Sequence, residues 1–289
     1  MVVSLSRRCT GCMGNDMQVE NPILVVGGTG KTGRRVAGRL AARGRAVRIG
    51  SRSGAPAFDW ADPGTWGAAV DGVRSAYLTY YPDLAFPGAV EAIAEFSEVA
   101  VKAGVERLVL LSGRGEEAAE RAEGVVRDSG AAWSVVRCSW FNQNFSEAFL
   151  VDSVLDGRIA LPAGDAVEPF VDADDIADVV VAALTEPGHD GEVYELTGPR
   201  ALGFAEVAAE LSAATGREIG YTPLTAAQFA AVLREHGLPE DFGELFTLIL
   251  DGRNAHPADG VQRALGRAPK DFTDYARETA ATGVWSRSG

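Results

Sequence analysis

Histidine and cysteine are scarce in this 289-residue sequence, which contains three of each. A metal centre built from these side chains needs several of them at short, characteristic spacings. The histidines stand at positions 189, 236 and 256, scattered through predicted loops and helix ends. We therefore predict no metal site.

The cysteines do not indicate a functional centre either. Cys9 and Cys12 form a CxxC motif within residues 1–20, a segment that shows neither helical nor strand periodicity. A metal or redox role for this motif would require a second ligand pair or a surrounding fold, and neither is evident. We predict that residues 1–20 are a disordered N-terminal extension. Cys138, at the end of a predicted strand, is interpreted as a small core residue.

Long apolar runs and an excess of basic residues are also missing. No apolar segment approaches the roughly 20 residues that a membrane-spanning helix needs, and the formal net charge is −13. Nucleic acids and anionic membranes attract clustered Lys and Arg, so neither is expected as a partner. We expect a cytoplasmic protein that acts on a small molecule, and the sequence leaves its oligomeric state open.

The most informative segment that is present is ILVVGGTGKTG, at residues 23–33. An apolar run ends in Gly27, Gly30 and Gly33, and an amphipathic segment follows at once. This order predicts a strand, a tight turn and a helix whose N-terminus binds the pyrophosphate of a dinucleotide. A nucleoside-triphosphate P-loop is excluded, because that motif requires glycine at the position of Val25.

The end of the second predicted strand indicates which dinucleotide is bound. NAD-binding folds usually carry an acidic residue there, which binds the ribose 2′-hydroxyl. Here the strand leads into Ser51, Arg52 and Ser53, and no carboxylate occurs before Asp59. An arginine between two hydroxyl groups suits a 2′-phosphate, because guanidinium makes charge-assisted hydrogen bonds to phosphate. We predict NADP(H) as the cofactor, with a solvated loop arginine as the alternative.

Strands and helices alternate up to residue 138, which predicts an α/β fold with a doubly wound, parallel Rossmann sheet. The predicted strands include 46–50, 58–60, 75–79, 107–112 and 133–137, and residues 142–155 are predicted to be helical. We divide the chain into the extension 1–20, an NADP(H)-binding Rossmann domain over 21–140, and a third region over 141–289. This third region is the smaller C-terminal part, mainly helical, substrate-binding and integrated with the first domain.

Ligands of open α/β sheets collect at the carboxyl ends of the strands, and this rule selects further candidate residues. Tyr80 and Tyr81 follow a predicted strand and are candidates for the nicotinamide end, with packing on a loop as the alternative. Asp59 and Trp60 are expected near the adenine. The predicted cofactor-binding set is Gly27, Thr29, Gly30, Lys31, Thr32, Gly33, Ser51, Arg52, Ser53, Asp59, Trp60, Thr79, Tyr80, Tyr81 and Ser112.

A common catalytic pair is missing from this predicted site. A short-chain dehydrogenase normally protonates its carbonyl substrate with a tyrosine whose pKa is lowered by a lysine four residues later. The lysines are Lys31, Lys102 and Lys270, and none follows a tyrosine at that distance. Either the substrate needs no such acid or the protein does no chemistry, so no catalytic residue is assigned.

The chain resembles the NmrA-like, atypical short-chain dehydrogenases over residues 21–285. The resemblance rests on GGTGKTG, the cation after the second strand, LLS at 110–112, VVRCSWFNQNF at 135–145 and PFVDADDIADV at 169–179. Within this group the chain is similar to the ergot-alkaloid reductases, the festuclavine and agroclavine dehydrogenases. The shared segments are GSRS at 50–53, FDW at 58–60, DPGTW at 62–66 and SWFNQNFSE at 139–147.

The resemblance implies NADPH-dependent reduction of an iminium C=N bond, in alkaloid biosynthesis or other secondary metabolism. Hydride addition to an iminium gives a neutral amine directly, which fits the absence of the Tyr–Lys pair. An aromatic pocket would stabilise an aromatic or cationic substrate through its ring faces, although packing in the core is the alternative for Trp140 and Phe141. The predicted substrate-binding set is Tyr80, Tyr81, Trp140, Phe141, Asn144 and Phe170.

Two other functions remain open. The first is a quinone or azo-type reductase, like other NmrA-like members, and the second is a catalytically silent NADP(H) sensor that binds a partner according to redox state. Many NmrA-like enzymes carry a Lys or His in the helix after the fifth strand, but GEEAAERAEG at 115–124 has neither. The aromatic residues near the sheet edge favour an enzyme, while the identity of the substrate is not specified.

Overall fold

A computed structural model describes residues 21–235, 237 and 241–286. From residue 23 to residue 138, strands alternate with helices. In chain order these elements are β1 (Ile23–Val26), α1 (Lys31–Ala42), β2 (Val47–Gly50), α2 (Trp66–Val70), β3 (Ser75–Leu78), α3 (Ala89–Lys102), β4 (Arg107–Gly113), α4 (Glu117–Arg127) and β5 (Ala132–Cys138).

The rest of the described chain is mainly helical and contains short strands. Its elements are α5 (Val151–Asp156), β6 (Arg158–Leu161), β7 (Val167–Glu168), α6 (Ala173–Thr185), β8 (Glu192–Leu196), β9 (Leu202–Gly203), α7 (Phe204–Thr215), β10 (Gly220–Pro223), α8 (Ala226–Glu235), α9 (Asp241–Ile249), α10 (Gly260–Leu265) and α11 (Phe272–Ala281). Short 3-10 helices cover Pro63–Thr65 and Asn142–Phe145.

Six strands form one sheet in the order β2-β1-β3-β4-β5-β8, and each neighbouring pair is parallel. The chain moves from β1 to β2 on one side and then crosses to β3 on the other. This reversal opens a crevice at the carboxyl ends of β1 and β3, where open α/β sheets bind their ligands. The predicted doubly wound Rossmann sheet is confirmed.

Both faces of this sheet are buried, as its continuous apolar strands require. Side chains of β1 alternate between the two faces, with Leu24 and Val26 in one core cluster and Ile23 and Val25 in the other. Helices α3 and α4 cover the first face, and α1 and α6 cover the second. This sandwich fixes the carboxyl ends of the strands, and with them the ligand crevice.

A third core lies in the C-terminal part and is rich in aromatic rings. Phe145, Phe170, Phe204 and Phe272 are buried together there, with ring centroids 5.5–5.8 Å apart around Phe170. Two small sheets accompany this core, one pairing β10 with β6 and one pairing β7 with β9. The predicted smaller part therefore has a hydrophobic core that packs beside the ligand crevice.

The predicted strand at 58–60 is wrong. These residues form a turn with a single bridge between Asp59 and Asp62, because both edges of β1 are already paired. Instead, Phe58 and Trp60 turn their rings onto Phe96, with centroid distances of 5.6 and 5.4 Å. Apolar and aromatic residues at alternate positions can thus line an aromatic cluster without forming a strand.

The continuous helix predicted at 142–155 is also wrong. The segment contains the 3-10 helix Asn142–Phe145 and, after a break, the short helix α5. Gln143 is buried, and its side chain accepts a hydrogen bond of 2.8 Å from the Ala173 amide. Asn142 is buried as well and donates to Asp172. These two hydrogen bonds to the start of α6 fix residues 142 and 143 in positions that a continuous helix over 142–155 would not allow.

Two predictions lie outside the described residues: the disordered extension with its CxxC motif, and His236. Within the described ranges, no helix has both the length and the apolarity needed to cross a membrane. The same part of the chain holds no cluster of His, Cys, Asp or Glu that could bind a metal ion.

Candidate active site

The glycine-rich turn connects β1 to α1 with almost no space to spare. Gly27 adopts a φ of +69°, in the left-handed region that favours glycine. A Cβ atom at Gly33 would lie 2.1 Å from the Gly27 carbonyl oxygen, so only glycine lets the helix approach the turn this closely. Gly30 caps α1 without any side-chain hydrogen bond. The first amides of this 12-residue helix are therefore available to an anion such as a pyrophosphate.

Two threonines of the predicted cofactor set stabilise the crevice from inside the fold. Thr32 is buried, and its hydroxyl accepts a hydrogen bond of 3.0 Å from the Tyr77 hydroxyl. The Thr79 hydroxyl donates to the Val26 carbonyl at 3.1 Å. These bonds join β3 to α1 and to β1, at the point where the strand order reverses. Thr29, by contrast, lies exposed on the turn.

The loop after β2 carries the predicted 2′-phosphate site. Arg52 is exposed there, and the hydroxyl oxygens of Ser51 and Ser53 lie 3.5 Å apart on either side of it. The loop presents a cation and two hydroxyl groups at the carboxyl end of β2, which is the arrangement that a ribose phosphate would require.

Trp60 is fixed beside the end of β3. Its indole N–H donates to the Thr79 carbonyl at 2.9 Å, and its ring centroid is 5.3 Å from that of Tyr80. Asp59 accepts a hydrogen bond from the Trp66 indole through its backbone carbonyl. The Trp60 side chain therefore holds this turn against the end of β3, and the Asp59 backbone ties the turn to α2.

A cavity of about 500 Å³ lies over the carboxyl ends of β3, β4 and β5. Its far wall comes from α9, through Phe242, Leu245 and Phe246. Tyr81, 82% exposed, stands at its rim. Most of the predicted nicotinamide-end and substrate residues meet in this one space. Those that line it are Lys31, Tyr80, Tyr81, Ser112, Trp140, Phe141 and Asn144.

Aromatic rings form one wall of the cavity. Trp140 packs edge-on against Phe246 and Phe204, with centroid distances of 5.1 and 5.4 Å. Phe170, which the sequence places in the substrate set, does not line the cavity. It is only 2% exposed and stands behind Trp140, 6.2 Å away between centroids. We therefore correct its role from substrate contact to support of the wall, because its ring packs among Phe145, Phe204 and Phe272 in the C-terminal core.

Lys31 reaches the cavity from the first turn of α1. Its ammonium donates to Asn144 Oδ1 at 2.8 Å, and burial lowers the pKa of Lys31. Ser112, at the end of β4, is also in place, but its hydroxyl donates to Glu123 at 2.6 Å. Because Glu123 is itself paired with Arg137, the Ser112 hydroxyl belongs to a buried polar network under the cavity floor.

Three carboxyl groups outside the predicted site also line the cavity: Asp83, Glu116 and Glu168. Glu116 and Glu168 are 7% and 1% exposed. Glu116 starts a charged, amphipathic segment, a pattern that normally indicates a solvated helix face. Their positions in the sequence could have indicated this site, because Asp83 and Glu116 each follow the carboxyl end of a central strand within a few residues.

Glu168 has one satisfied and one unsatisfied oxygen. The Ser139 hydroxyl donates to Oε2 at 3.0 Å, whereas Oε1 is buried and has no partner among the described residues. Burial raises the pKa of Glu168 to about 7, although Arg114 nearby opposes the rise. A carboxyl with an unused oxygen in a cavity wall is available to a donor or cation on a bound molecule.

Comparisons with known proteins give relatives over almost the whole chain. The uncharacterised oxidoreductase YesF of Bacillus subtilis is 32% identical over 93% of this chain and 100% of its own. An NAD(P)H azoreductase of Xenophilus azovorans is 32% identical over 90% of this chain and 98% of its own. Agroclavine dehydrogenase of Claviceps fusiformis is 31% identical over 91% and 98%, respectively. No family model matches the chain.

The chain is an NmrA-like, atypical short-chain dehydrogenase. It belongs to a family of NAD(P)H-dependent oxidoreductases close to the clavine dehydrogenases. This confirms the family resemblance found in GGTGKTG and in the segments at 135–145 and 169–179.

Solved structures agree with this NmrA-like fold. A nucleoside-diphosphate-sugar epimerase from Staphylococcus aureus superposes with a TM-score of 0.75 at 20% identity, over 89% of this chain and 99% of its own. A Citrobacter sp. triphenylmethane reductase complexed with NADP(H) gives 0.68 at 22%, over 90% and 99%. An NmrA mutant gives 0.67 at 17%, over 92% and 97%. At these identities the likeness concerns the fold.

Proposed function

We propose that this NmrA-like protein is an NADPH-dependent reductase that transfers hydride to an iminium C=N bond or a similar conjugated electrophile. The observation that carries the proposal is the position of the cavity. It adjoins the glycine turn through Lys31, lies over the carboxyl ends of the central strands, and has an aromatic wall at Trp140 and Phe141. A nicotinamide bound along the crevice would meet a flat substrate there.

The choice of NADPH rests on the loop after β2. An exposed Arg52 between two serine hydroxyls suits a 2′-phosphate and offers no carboxylate for a 2′-hydroxyl. The relative from Xenophilus azovorans, named as using NAD(P)H, supports a nicotinamide cofactor of this kind. The remaining proposed contacts are the amides of the glycine turn and Trp60 near the adenine.

The iminium proposal draws support from charge as well as shape. The cavity wall contains three carboxyl groups and two cationic side chains, and both cations have partners. Lys31 donates to Asn144, and Arg114 is 3.3 Å from Glu195. A cationic, aromatic substrate would find ring faces and carboxyl oxygens in one place. Agroclavine dehydrogenase is a relative of matching length.

A second candidate function is reduction of azo or quinone compounds. The azoreductase among the relatives favours it, and such substrates are also flat and conjugated. The two functions differ in one chemical respect, because hydride addition to a neutral electrophile leaves an anion that must be protonated.

NADPH oxidation measured with cyclic iminium salts, quinones, azo dyes and aldehydes tests both proposals. We expect turnover of the iminium salts, and reduction of aldehydes alone would refute the iminium assignment. NADPH binding measured by calorimetry, together with no turnover of any compound, would instead indicate an NADP(H) sensor.

A further inference from the structure

Glu116 occupies a position that its charge does not explain. It is 93% buried and lines the cavity, and its carboxyl lies against Gly113, the last residue of β4. A Cβ atom built on Gly113 would come within 2.3–2.5 Å of the Glu116 carboxyl atoms. The carboxyl is thus held over the end of a central strand, where the fold collects its ligands.

Asp83 faces Glu116 from the loop between β3 and α3. The two carboxyl groups are close enough for their negative charges to repel each other, and the buried Oε2 atom of Glu116 has no hydrogen-bond partner among the described residues. Two neighbouring carboxylates in a buried site strongly disfavour being ionised together. The pair therefore holds at least one proton. Burial, and then the negative charge of Asp83, raises the pKa of Glu116 to about 9.

The other charged groups around the pair are committed elsewhere. Arg253, which packs against Gly115, is paired with Asp251 at 2.7 Å. Arg114 is paired with Glu195 at 3.3 Å. On the remaining walls, Lys31 donates to Asn144 and Glu168 accepts from Ser139. The described residues therefore give the pair no cationic partner that would strip its proton.

We propose that the Asp83–Glu116 pair is the proton donor of this site, with Glu116 as the catalytic acid and Asp83 as the residue that keeps it protonated. This inference rests on the proposed hydride transfer from NADPH. The hydride adds two electrons to the electrophilic atom of a conjugated substrate, and its π electrons move to the far heteroatom. The Glu116 proton then bonds to that heteroatom. Glu116 is left as a carboxylate and regains a proton from water.

This assignment defines a substrate class. Neutral conjugated electrophiles, such as quinones, azo compounds and conjugated carbonyls, require the proton, whereas an iminium does not. The pair thus replaces the missing Tyr–Lys donor and allows one cavity to reduce both kinds of substrate.

The test compares Glu116→Gln with Glu117→Gln, which alters the next side chain, 90% exposed in its ion pair. General acids contribute about 10²- to 10⁴-fold, so we expect E116Q to lose that factor in kcat/KM with a quinone. With an iminium salt the loss should be much smaller, and E117Q should match wild type with both. Equal losses with both substrates, or full quinone turnover by E116Q, would overturn the proposal.

Asp83→Asn supplies a second measurement, because asparagine keeps the oxygen that accepts from the Ala85 amide at 2.9 Å. Loss of the negative charge lowers the pKa of Glu116, so the alkaline fall of kcat/KM with a quinone moves to lower pH. A purely structural role of Asp83 would leave the pH of this alkaline fall unchanged. An unchanged pH profile in Asp83→Asn therefore contradicts the proposal.

An infrared difference spectrum between wild type and E116Q at pH 8 requires no turnover. Glu168, whose pKa is about 7, is mostly ionised at this pH, and burial also raises the pKa of Asp172, so the band is assigned to the pair by its loss in E116Q. We expect that band in wild type and E117Q and its loss in E116Q. Its absence from wild type would refute the proton donor, whereas absence of any NADPH oxidation would refute the proposed function.

Discussion

Replacing Glu168 with glutamine should stabilise the protein, and more so as the pH rises. Glu168 is 1% exposed, and its Oε1 atom has no partner among the described residues. Burial therefore penalises the carboxylate and raises the pKa of this side chain from an ordinary 4.5 to about 7. Glutamine keeps an oxygen for the Ser139 hydroxyl, which lies 3.0 Å from Oε2, and removes the titrating group.

The direction in which stability changes with pH follows from proton binding. Between pH 4.5 and pH 7 the folded protein holds a proton on Glu168 that the unfolded chain has released. Wild-type stability therefore falls as the pH rises through this window and levels off above it. Each pKa unit corresponds to 1.36 kcal/mol, which gives an upper value of about 3 kcal/mol above pH 7. Water in the cavity reduces this value by solvating the free oxygen.

Chemical denaturation of wild type and Glu168→Gln at pH 5 and pH 8 measures the effect. We expect the stability difference between the two proteins to grow by about 2 kcal/mol in favour of E168Q from the lower to the higher pH. Glu95→Gln, on the exposed face of α3, is the control and should show no such trend. A difference that is the same at both pH values would refute the reasoning.

Three further predictions concern the cofactor, the glycine turn and the aromatic wall. Arg52→Ala should weaken NADPH binding by about 10- to 100-fold and barely change NADH binding; an unchanged ratio of the two dissociation constants would contradict the NADPH assignment. Gly33→Ala should destabilise the fold by about 1–3 kcal/mol, because its Cβ would lie 2.1 Å from the Gly27 oxygen. A Cβ atom at Gly38, on the same helix, has no atom within 4 Å, so Gly38→Ala should stabilise the folded protein by about 0.5–1 kcal/mol. Thermal denaturation of the two variants measures this contrast. Trp140→Leu keeps apolar bulk but removes the ring face, so kcat/KM should fall about 5- to 30-fold more for a cationic substrate than for a neutral one of similar shape; equal losses would exclude a cation–π role.

The glycine segment and the sheet could be predicted because their signals are local. A tight turn needs glycine at fixed positions, and strands buried on both faces are apolar throughout. Tyr80 followed from the rule that ligands meet at the carboxyl ends of the strands. Lys31 followed from the glycine motif, and Trp140 from the family resemblance.

The buried carboxyl groups could not be predicted because their environment comes from distant segments. Glu116 precedes a charged helix and reads as a solvated cap, but the fold places its carboxyl against Gly113 and in the same cavity as Asp83 of the β3–α3 loop. Phe170 and Phe141 are both aromatic residues in segments shared with the family, yet only Phe141 lines the cavity, whereas Phe170 is buried in the C-terminal core. At 142–155, the hydrogen bond that Gln143 accepts from the Ala173 amide, at the start of α6, outweighs helical propensity. Each case depends on a contact between residues far apart in the chain.

The position of β8 has a consequence for how the chain is made. Its strand, Glu192–Leu196, pairs with β5 along the edge of the Rossmann sheet, yet it is translated long after β5 ends at Cys138. Until it emerges from the ribosome, β5 presents unpaired amides and carbonyls beside the apolar side chains of Val135 and Val136. Such an open edge invites pairing with other nascent chains. The six-stranded sheet is therefore complete only after residue 196 has been made, and we expect aggregation of nascent chains to fall once β8 can pair with β5.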